Sequence, residues 1–239
     1  VPGKASEAEL SRMMETYGAM LTGTCTVLLG DRHLAQDIVQ ETFIRAYKKM
    51  DSFRGERPES EKAWLTRIAV NLCRDERRKK WFRFEDRTIP VEMMTLSAPE
   101  ASEEAQQLYA AVQTLPQKYR EVILLRFYQD LTAPEIAEIL HQATGTIYHK
   151  LTRAQEMLKK RLERCDFGGK KLGNALKACL SDSEFPLERR QAVLRAIRKE
   201  EKVVKKKISA ALVFAIVLTL VVGGAALAAN LGVFGQSVN

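Results

Sequence analysis

Apolar residues recur at every third or fourth position along most of the chain before residue 165. The first such stretch contains Leu10, Met13 and Tyr17, and the next contains Leu34 and Phe43. This spacing places apolar side chains on one face of a helix, whereas a half-buried strand would alternate at every second residue. No strand-like alternation of useful length is found in the sequence. The pattern therefore predicts an all-α chain.

Glycine and proline interrupt this helical pattern. Gly30 marks a turn between the first two helices, and residues 51–58 carry a glycine and a proline before a third helix predicted over 61–80. Pro90 and Pro99 lie in a stretch without a sustained period, which is typical of a flexible linker. The predicted organisation is a first helical bundle over residues 1–83, a linker over 84–102 and a second bundle over 103–165.

The second bundle contains the pattern of a helix-turn-helix between Leu131 and Lys159. Thr132 is a predicted N-cap with Glu135 three residues later, and a second helix is predicted to begin near Thr144. The start of that second helix enters the major groove of DNA in this motif. Its predicted DNA contacts are Thr144, Thr146, Tyr148, His149, Lys150, Thr152 and Arg153. The alternative is a plain helical hairpin with a solvated polar face.

The end of the third helix combines positive charge with aromatic rings. Its cations are Arg74, Arg77, Arg78, Lys79, Lys80 and Arg83, and its rings are Trp81, Phe82 and Phe84. Cations can follow the phosphate backbone of an opened strand while rings stack on its bases. The whole chain is basic, with 38 Lys+Arg against 30 Asp+Glu and a net charge of +8, which favours a polyanionic partner. The alternative is a solvated helix end.

The pattern of cysteine and histidine gives no reason to expect a metal or cofactor. The cysteines are Cys25, Cys73, Cys165 and Cys179, and the histidines are His33, His141 and His149, at no metal-ligand spacing. A glycine-rich phosphate loop and a nucleophile–base pattern are also missing from the sequence. We therefore predict no metal, no cofactor and no catalytic site.

The last part of the chain predicts a membrane anchor. Residues from Ile208 to Ala229 include no charged residue, and a helix of that length spans about 33 Å, enough for a hydrocarbon core of about 30 Å. Lys205, Lys206 and Lys207 precede the run, and no Lys or Arg follows it. The excess of positive charge on one side places the N-terminal part in the cytoplasm. We predict a transmembrane helix over 206–231 and an outer tail over 232–239.

A juxtamembrane segment over 166–205 connects the second bundle to this anchor. A helix is predicted from Pro186 to Glu201, with Leu187, Val193, Leu194 and Ile197 on its apolar face. An amphipathic helix in this position is expected either to inhibit the preceding domains by packing on one of them or to act as a simple tether.

Several segments in series resemble one protein family. They are Ala35–Phe43 with Arg45–Tyr47, Ser52–Glu56, Trp64–Asn71, Leu115–Val122 and Gly145–Ala154. In order and spacing they resemble regions 2 and 4 of the extracytoplasmic-function (ECF) type of RNA polymerase sigma factors in the sigma-70 family. The resemblance covers roughly residues 6 to 165, and most members of that group end where the present chain continues.

The resemblance implies a role for each part. In the family, the second helix docks on a coiled coil of bacterial core RNA polymerase, which assigns core binding to Asp37, Gln40 and Glu41. The following loop and third helix hold the melted −10 promoter element, and the helix-turn-helix residues named above would read the −35 element. The implied −10 contacts are Phe53, Arg54, Trp64, Arg67, Asn71, Arg74, Arg77, Arg78, Lys79 and Lys80.

The implied partners are core polymerase, promoter DNA and the cytoplasmic membrane, which the C-terminal helix would cross once. Inhibition by an intramolecular segment or by a separate anti-sigma protein is expected from the juxtamembrane part. Two alternatives remain at this point. One is a membrane-anchored regulator that binds duplex DNA through the helix-turn-helix alone. The other is a membrane protein of the anti-sigma type in which the sigma-like part is a decoy.

Overall fold

The computed structural model describes residues 7–50, 53, 58–83, 101–162 and 168–199, and every regular element in these ranges is helical. The all-α prediction is therefore confirmed for them. The helices are α1 (Glu7–Leu29), α2 (Arg32–Lys49), α3 (Pro58–Arg83), α4 (Glu103–Gln113), α5 (Gln117–Ile123), a π-helical turn (Leu124–Tyr128), α6 (Ala133–Leu140), α7 (Thr144–Arg161), α8 (Gly169–Cys179) and α9 over 187–199.

Helices α1, α2 and α3 form the first bundle around a core that the apolar period predicted. Leu10, Leu21 and Phe43 are fully buried in it. Gly30 has φ 69°, a left-handed conformation that glycine adopts without strain. The backbone N–H of Leu34 donates to the Asp31 side chain at 3.0 Å, so Asp31 caps α2. The predicted turn and helix start between α1 and α2 are confirmed.

Helices α4 to α7 form the second bundle, and its local signals are also confirmed. Pro116 stands immediately before α5. Thr132 caps α6 in a capping box with Glu135. His141, at the end of α6, adopts a left-handed conformation with φ 53°, and this sharp turn leads into α7. The result is the predicted helix-turn-helix.

The two bundles pack directly against each other through a buried polar contact. The Thr66 hydroxyl of α3 donates to the Gln129 side-chain carbonyl at 2.8 Å, and the Gln129 amide donates to the Thr24 hydroxyl of α1 at 2.8 Å. Nearby, the Arg120 guanidinium donates to the Val27 carbonyl at 3.4 Å. A polar group buried in this way is retained at low cost only when its hydrogen bonds are satisfied. The sequence analysis did not predict this interface.

Helix α8 was not predicted, and it packs on α4 and on the π-helical turn. Its glycines allow this approach, because a Cβ atom at Gly173 would lie 2.7 Å from the Phe127 carbonyl oxygen. Helix α9 lies close to the predicted span, but the expectation for Leu187 was wrong, since its side chain is 67% exposed. Phe185, just before the helix, is buried instead. Val193 and Ile197 of the predicted apolar face are buried, so this part of the prediction is confirmed.

The chain divides into a compact unit of residues 1–193 and a second unit of residues 194–239. Within the described ranges, no helix is both long enough and apolar enough to cross a membrane. The predicted transmembrane helix over 206–231 and the outer tail lie outside those ranges, as do Arg54 and nearly all of the predicted linker. Among described residues, no group of three or more metal-binding side chains is found.

Candidate polymerase and nucleic-acid interfaces

The predicted polymerase-binding residues lie on one face of α2, because positions three and four apart are neighbours on a helix. Asp37 is 56% exposed, and Gln40 and Glu41 are partly exposed beside it. Glu41 forms an ion pair with Arg45 at 2.7 Å. The face continues into an open groove between α2 and α3, which Asp37, Glu41 and Arg78 help to line. The structure therefore brings the three predicted residues together at the surface.

Two of these α2 side chains are bound by a residue of α9. The Arg189 guanidinium of α9 donates to the Asp37 carboxylate and to the Gln40 side-chain oxygen, the latter at 3.4 Å. The sequence did not identify Arg189. Its only signal was position, because it lies in an amphipathic segment that follows both bundles.

An aromatic pair lies at the start of the predicted −10 surface. The rings of Phe53 and Trp64 stack with centroids 4.6 Å apart and an interplanar angle of 20°. Both residues remain partly exposed, and Asn71 is exposed two turns further along α3. Flat aromatic surfaces of this kind can stack on unpaired bases. Arg54, which follows Phe53, lies outside the described residues.

The predicted −10 cations do not share one environment. Arg74 forms an ion pair at 2.6 Å with Glu121 of α5, whose side chain is only 5% exposed, and the hydrogen bond between them raises the pKa of Arg74. Arg67 forms an ion pair at 2.5 Å with Glu138 of α6. Burial lowers the pKa of Arg77. These three cations therefore lie at the contact with the second bundle.

The remaining cations of this group lie further along α3. Arg78 and Lys79 are exposed and pair with Asp75 and Glu76 of the same helix, at 2.6 and 3.3 Å. The side chain of Lys80 lies outside the described residues. Exposed pairs three residues apart are weak, so they leave these cations available to a phosphate backbone.

Helix α7 presents its polar residues to solvent as the helix-turn-helix pattern predicted. Ile147, Leu151, Ala154 and Leu158 are buried, whereas the exposed residues are Thr146, Tyr148, His149, Thr152 and Arg153. Tyr148 is 58% exposed, which is a high value for a large aromatic side chain. The face that would enter a groove is therefore uncovered.

Two of the predicted α7 contacts are less accessible. Thr144 is partly buried at the helix start, and Lys150 donates to the Gln142 side-chain oxygen at 2.7 Å. Partial burial lowers the pKa of Lys150. Arg153 pairs with Glu156 one turn away at 3.0 Å in an exposed position, where the pair adds little stability. The exposed part of the predicted −35 surface is thus centred on Thr146, Tyr148, His149 and Thr152.

The sequence reasoning missed the residues that join the bundles. Glu121 and Gln129 were not predicted to be buried, because an isolated polar residue between apolar positions of a helix usually lies on its exposed face. Gly18 and Gly23 in α1 were the available signal. A glycine in a helix interior costs about 0.5–1 kcal/mol relative to alanine, which indicates a close approach by another segment. A Cβ atom at Gly23 would lie 2.5 Å from the Tyr128 hydroxyl of the second bundle.

Comparison with known proteins agrees with this architecture. Residues 13–83 match the family model of sigma-70 region 2, and residues 105–158 match that of sigma-70 region 4. The chain is 34% identical over 173 residues to the ECF RNA polymerase sigma factor SigW of Bacillus subtilis strain 168, covering 66% of this chain and 91% of SigW. It is 33% identical over 134 residues to the RNA polymerase sigma factor SigV of the same strain, covering 55% of this chain and 78% of SigV.

A solved structure shows the same fold. The sigma factor RpoE of Bartonella quintana, in complex with the anti-sigma factor NepR, matches with a TM-score of 0.54 and 25% identity, covering 66% of this chain and 99% of RpoE. The relatives' names agree with the family models. The chain therefore belongs to the ECF-type sigma factors of the sigma-70 family, which are DNA-binding transcription initiation factors for RNA polymerase and not enzymes.

Proposed function

We propose that this sigma factor binds core polymerase through the α2 face around Asp37, Gln40 and Glu41, reads a −35 element through α7 and holds a melted −10 strand along α3. The observation that carries the proposal is the pair of exposed surfaces in one chain. One is the polar face of α7, shaped for duplex DNA, and the other is the stacked Phe53–Trp64 pair next to the basic α3.

The two surfaces suit two states of DNA for different physical reasons. A helix fits the major groove of a duplex, where base edges carry a distinct pattern of donors and acceptors. A melted strand exposes base faces instead, and aromatic rings and cations bind these faces and the backbone without a groove. The chain would thus recognise a promoter and stabilise its opened form, while the polymerase carries out the chemistry.

The packing of the bundles implies that the chain opens before it binds a promoter. Arg67 and Arg74 are held by Glu138 and Glu121 of the second bundle, so they cannot contact a DNA strand in this arrangement. Separation would release both cations and expose the buried Gln129 contact to water. We infer that core polymerase and DNA supply the free energy for this step.

We also propose that residues 206–231 anchor the protein in the cytoplasmic membrane as a single span, with the DNA-binding part in the cytoplasm. The uncharged run from Ile208 to Ala229 and the preceding lysines motivate this proposal. The segment between the second bundle and the anchor would allow inhibition, either within the chain or through a separate anti-sigma protein. Deletion of residues 206–231 should move the protein from the membrane to the soluble fraction of bacterial cells.

Transcription in vitro tests the central proposal. The full chain in detergent is mixed with bacterial core polymerase and a genomic promoter library, and transcript starts are sequenced. We expect starts that share a −35 and −10 pair, together with permanganate-reactive thymines near each start. Asp37→Arg should abolish these starts, while Lys170→Glu, a charge reversal of the same size and opposite sign at an exposed site, should not. DNA binding without starts or melting would instead favour a membrane-anchored duplex-binding regulator.

A further inference from the structure

The segment after α8 packs on the first bundle and reaches part of the proposed polymerase-binding face. Phe185 is only 2% exposed, and its ring centroid lies 5.4 Å from that of Phe43 in α2. It also lies against Gly18 of α1, where a Cβ atom would stand 2.8 Å from the Cβ atom of Phe185. Real Cβ atoms do not approach that closely, so only glycine leaves room for this ring. The notch at Gly18 is therefore matched to Phe185.

Polar contacts on both sides of Phe185 fix the segment on the first bundle. The Arg32 guanidinium of α2 donates to the Asp182 carbonyl at 2.5 Å. Arg190 donates to the Phe185 carbonyl at 3.0 Å, which closes the bend before α9. Arg189 then reaches Asp37 and Gln40, two of the three residues proposed for core binding. The contact thus combines a buried aromatic side chain with hydrogen bonds and an ion pair on either side of it.

The same segment is attached to the second bundle at its other end. Lys177 of α8 forms an ion pair with Asp130 at 2.7 Å, and Lys171 lies 3.8 Å from Glu104 of α4. The backbone at Gly173 lies directly against the Phe127 carbonyl. One short stretch of chain therefore holds both bundles in the arrangement in which Arg67 and Arg74 are paired internally.

We propose that residues 180–193 are an intramolecular cap that occupies part of the polymerase-binding face of α2, so that core polymerase binds only after the cap is released. This inference rests on the proposed function, which assigns core binding to that face. The cap competes directly, because Asp37 and Gln40 cannot be bound by Arg189 and by core polymerase at the same time. The chain would then carry its own inhibitor.

The two main contacts of the cap contribute differently. The Arg189–Asp37 pair is partly exposed, and pairs of this kind contribute little to stability because water screens the charges. Phe185 is fully enclosed, and enclosed aromatic anchors carry most of the energy at such contacts. Disturbing the Gly18 notch should therefore release the cap more strongly than reversing the charge of Arg189.

The test measures affinity of the full chain in detergent for core polymerase, with labelled protein titrated at constant salt. Gly18→Ala should tighten binding about ten-fold or more, because the added methyl group overpacks the Phe185 site while alanine favours helix α1. Arg189→Glu should tighten it about two- to five-fold or more. The matched controls are Gly168→Ala, where a Cβ atom meets nothing within 4 Å, and Lys170→Glu at an exposed site. Both control variants should bind core polymerase with the affinity of the unaltered chain.

Amide hydrogen exchange over residues 180–193 shows whether each variant displaces the cap. Faster exchange together with tighter core binding supports the proposal. Faster exchange with unchanged core affinity overturns the cap and leaves the proposed function intact. Unchanged exchange in Gly18→Ala contradicts the packing from which the cap is inferred. If neither the variants nor the unaltered chain binds core polymerase, the proposed function fails and the cap with it.

Discussion

Single side chains decide how the two bundles meet, and Gln129 is the clearest case. Its side chain is 1% exposed and bonds threonines from two different helices of the first bundle. When one partner of a buried hydrogen bond is removed, the remaining group has neither a protein group nor water to bond to. The position could not be recognised from the sequence, since an isolated glutamine after a π-helical turn is usually at the surface.

Gln129→Ala should lower the free energy of unfolding by about 1–3 kcal/mol, because Thr66 loses its acceptor and a small cavity forms. Urea unfolding followed by circular dichroism measures this change. Gln107→Ala on the exposed face of α4 is the control and should stay within about 0.5 kcal/mol. Equal effects at the two positions would mean that the buried contact does not form in solution.

The capping box of α6 makes a prediction for pH. Both the hydroxyl and the backbone N–H of Thr132 donate to the Glu135 carboxylate, at 2.6 and 2.7 Å, and these hydrogen bonds lower the pKa of Glu135. A carboxyl group with a lower pKa in the folded state stabilises the fold above its unfolded pKa, and this contribution is lost as the pH falls through the folded value.

Glu135→Gln should therefore be less sensitive to acid than the unaltered chain. Denaturant midpoints at about pH 6 and about pH 3 should differ less in the variant, since it has no carboxyl group to protonate at this position. Thr132→Ala should cost about 0.5–2 kcal/mol at neutral pH through loss of the cap. An identical pH dependence in Glu135→Gln would show that the capping contact contributes nothing.

At the scale of elements, α7 was well predicted because its signals are local. The apolar period gave its buried face, and the polar positions between were found exposed, Tyr148 and His149 among them. Helix α8 was missed for the opposite reason. Its two glycines lower helix propensity, and what stabilises it is packing on α4 and on the π-helical turn, which no local pattern shows.

The exposed face of α7 predicts separable effects on specificity and affinity. His149→Ala should weaken discrimination among −35 sequences by about 1–3 kcal/mol at one or two base positions. Lys159→Ala, further along the helix, should weaken binding to all sequences alike and lower the salt dependence. Binding to a randomised duplex library at two salt concentrations distinguishes these results. If His149→Ala weakened binding equally to all sequences, His149 would not contact the bases.

At the scale of the whole molecule, the compact unit of residues 1–193 is a closed arrangement of the two sigma regions. The Arg74–Glu121 pair lies in it with Glu121 nearly buried, whereas Glu138, the partner of Arg67, is 75% exposed. Breaking a buried pair costs more than breaking an exposed one, because water replaces the lost partner only at the surface.

Glu121→Gln should therefore open the closed arrangement more than Glu138→Gln does. We expect the first variant to bind a single-stranded −10 oligonucleotide several-fold more tightly than the unaltered chain, since Arg74 is released. The second should change this affinity by less than about two-fold. Fluorescence anisotropy with a labelled oligonucleotide measures both. The closed arrangement would not limit DNA binding if the two variants behaved alike.

The sequence by itself determined the helices of the two bundles, the cap at Thr132 and the polar face of α7, because these depend on neighbours within a few turns of chain. It also carried the motifs of regions 2 and 4. Only the tertiary structure decided which distant residues meet, such as Arg74 with Glu121, Gln129 with two threonines, and Phe185 with Gly18. The physical reason is that periodicity records whether a side chain is buried, whereas its partner depends on how whole helices pack.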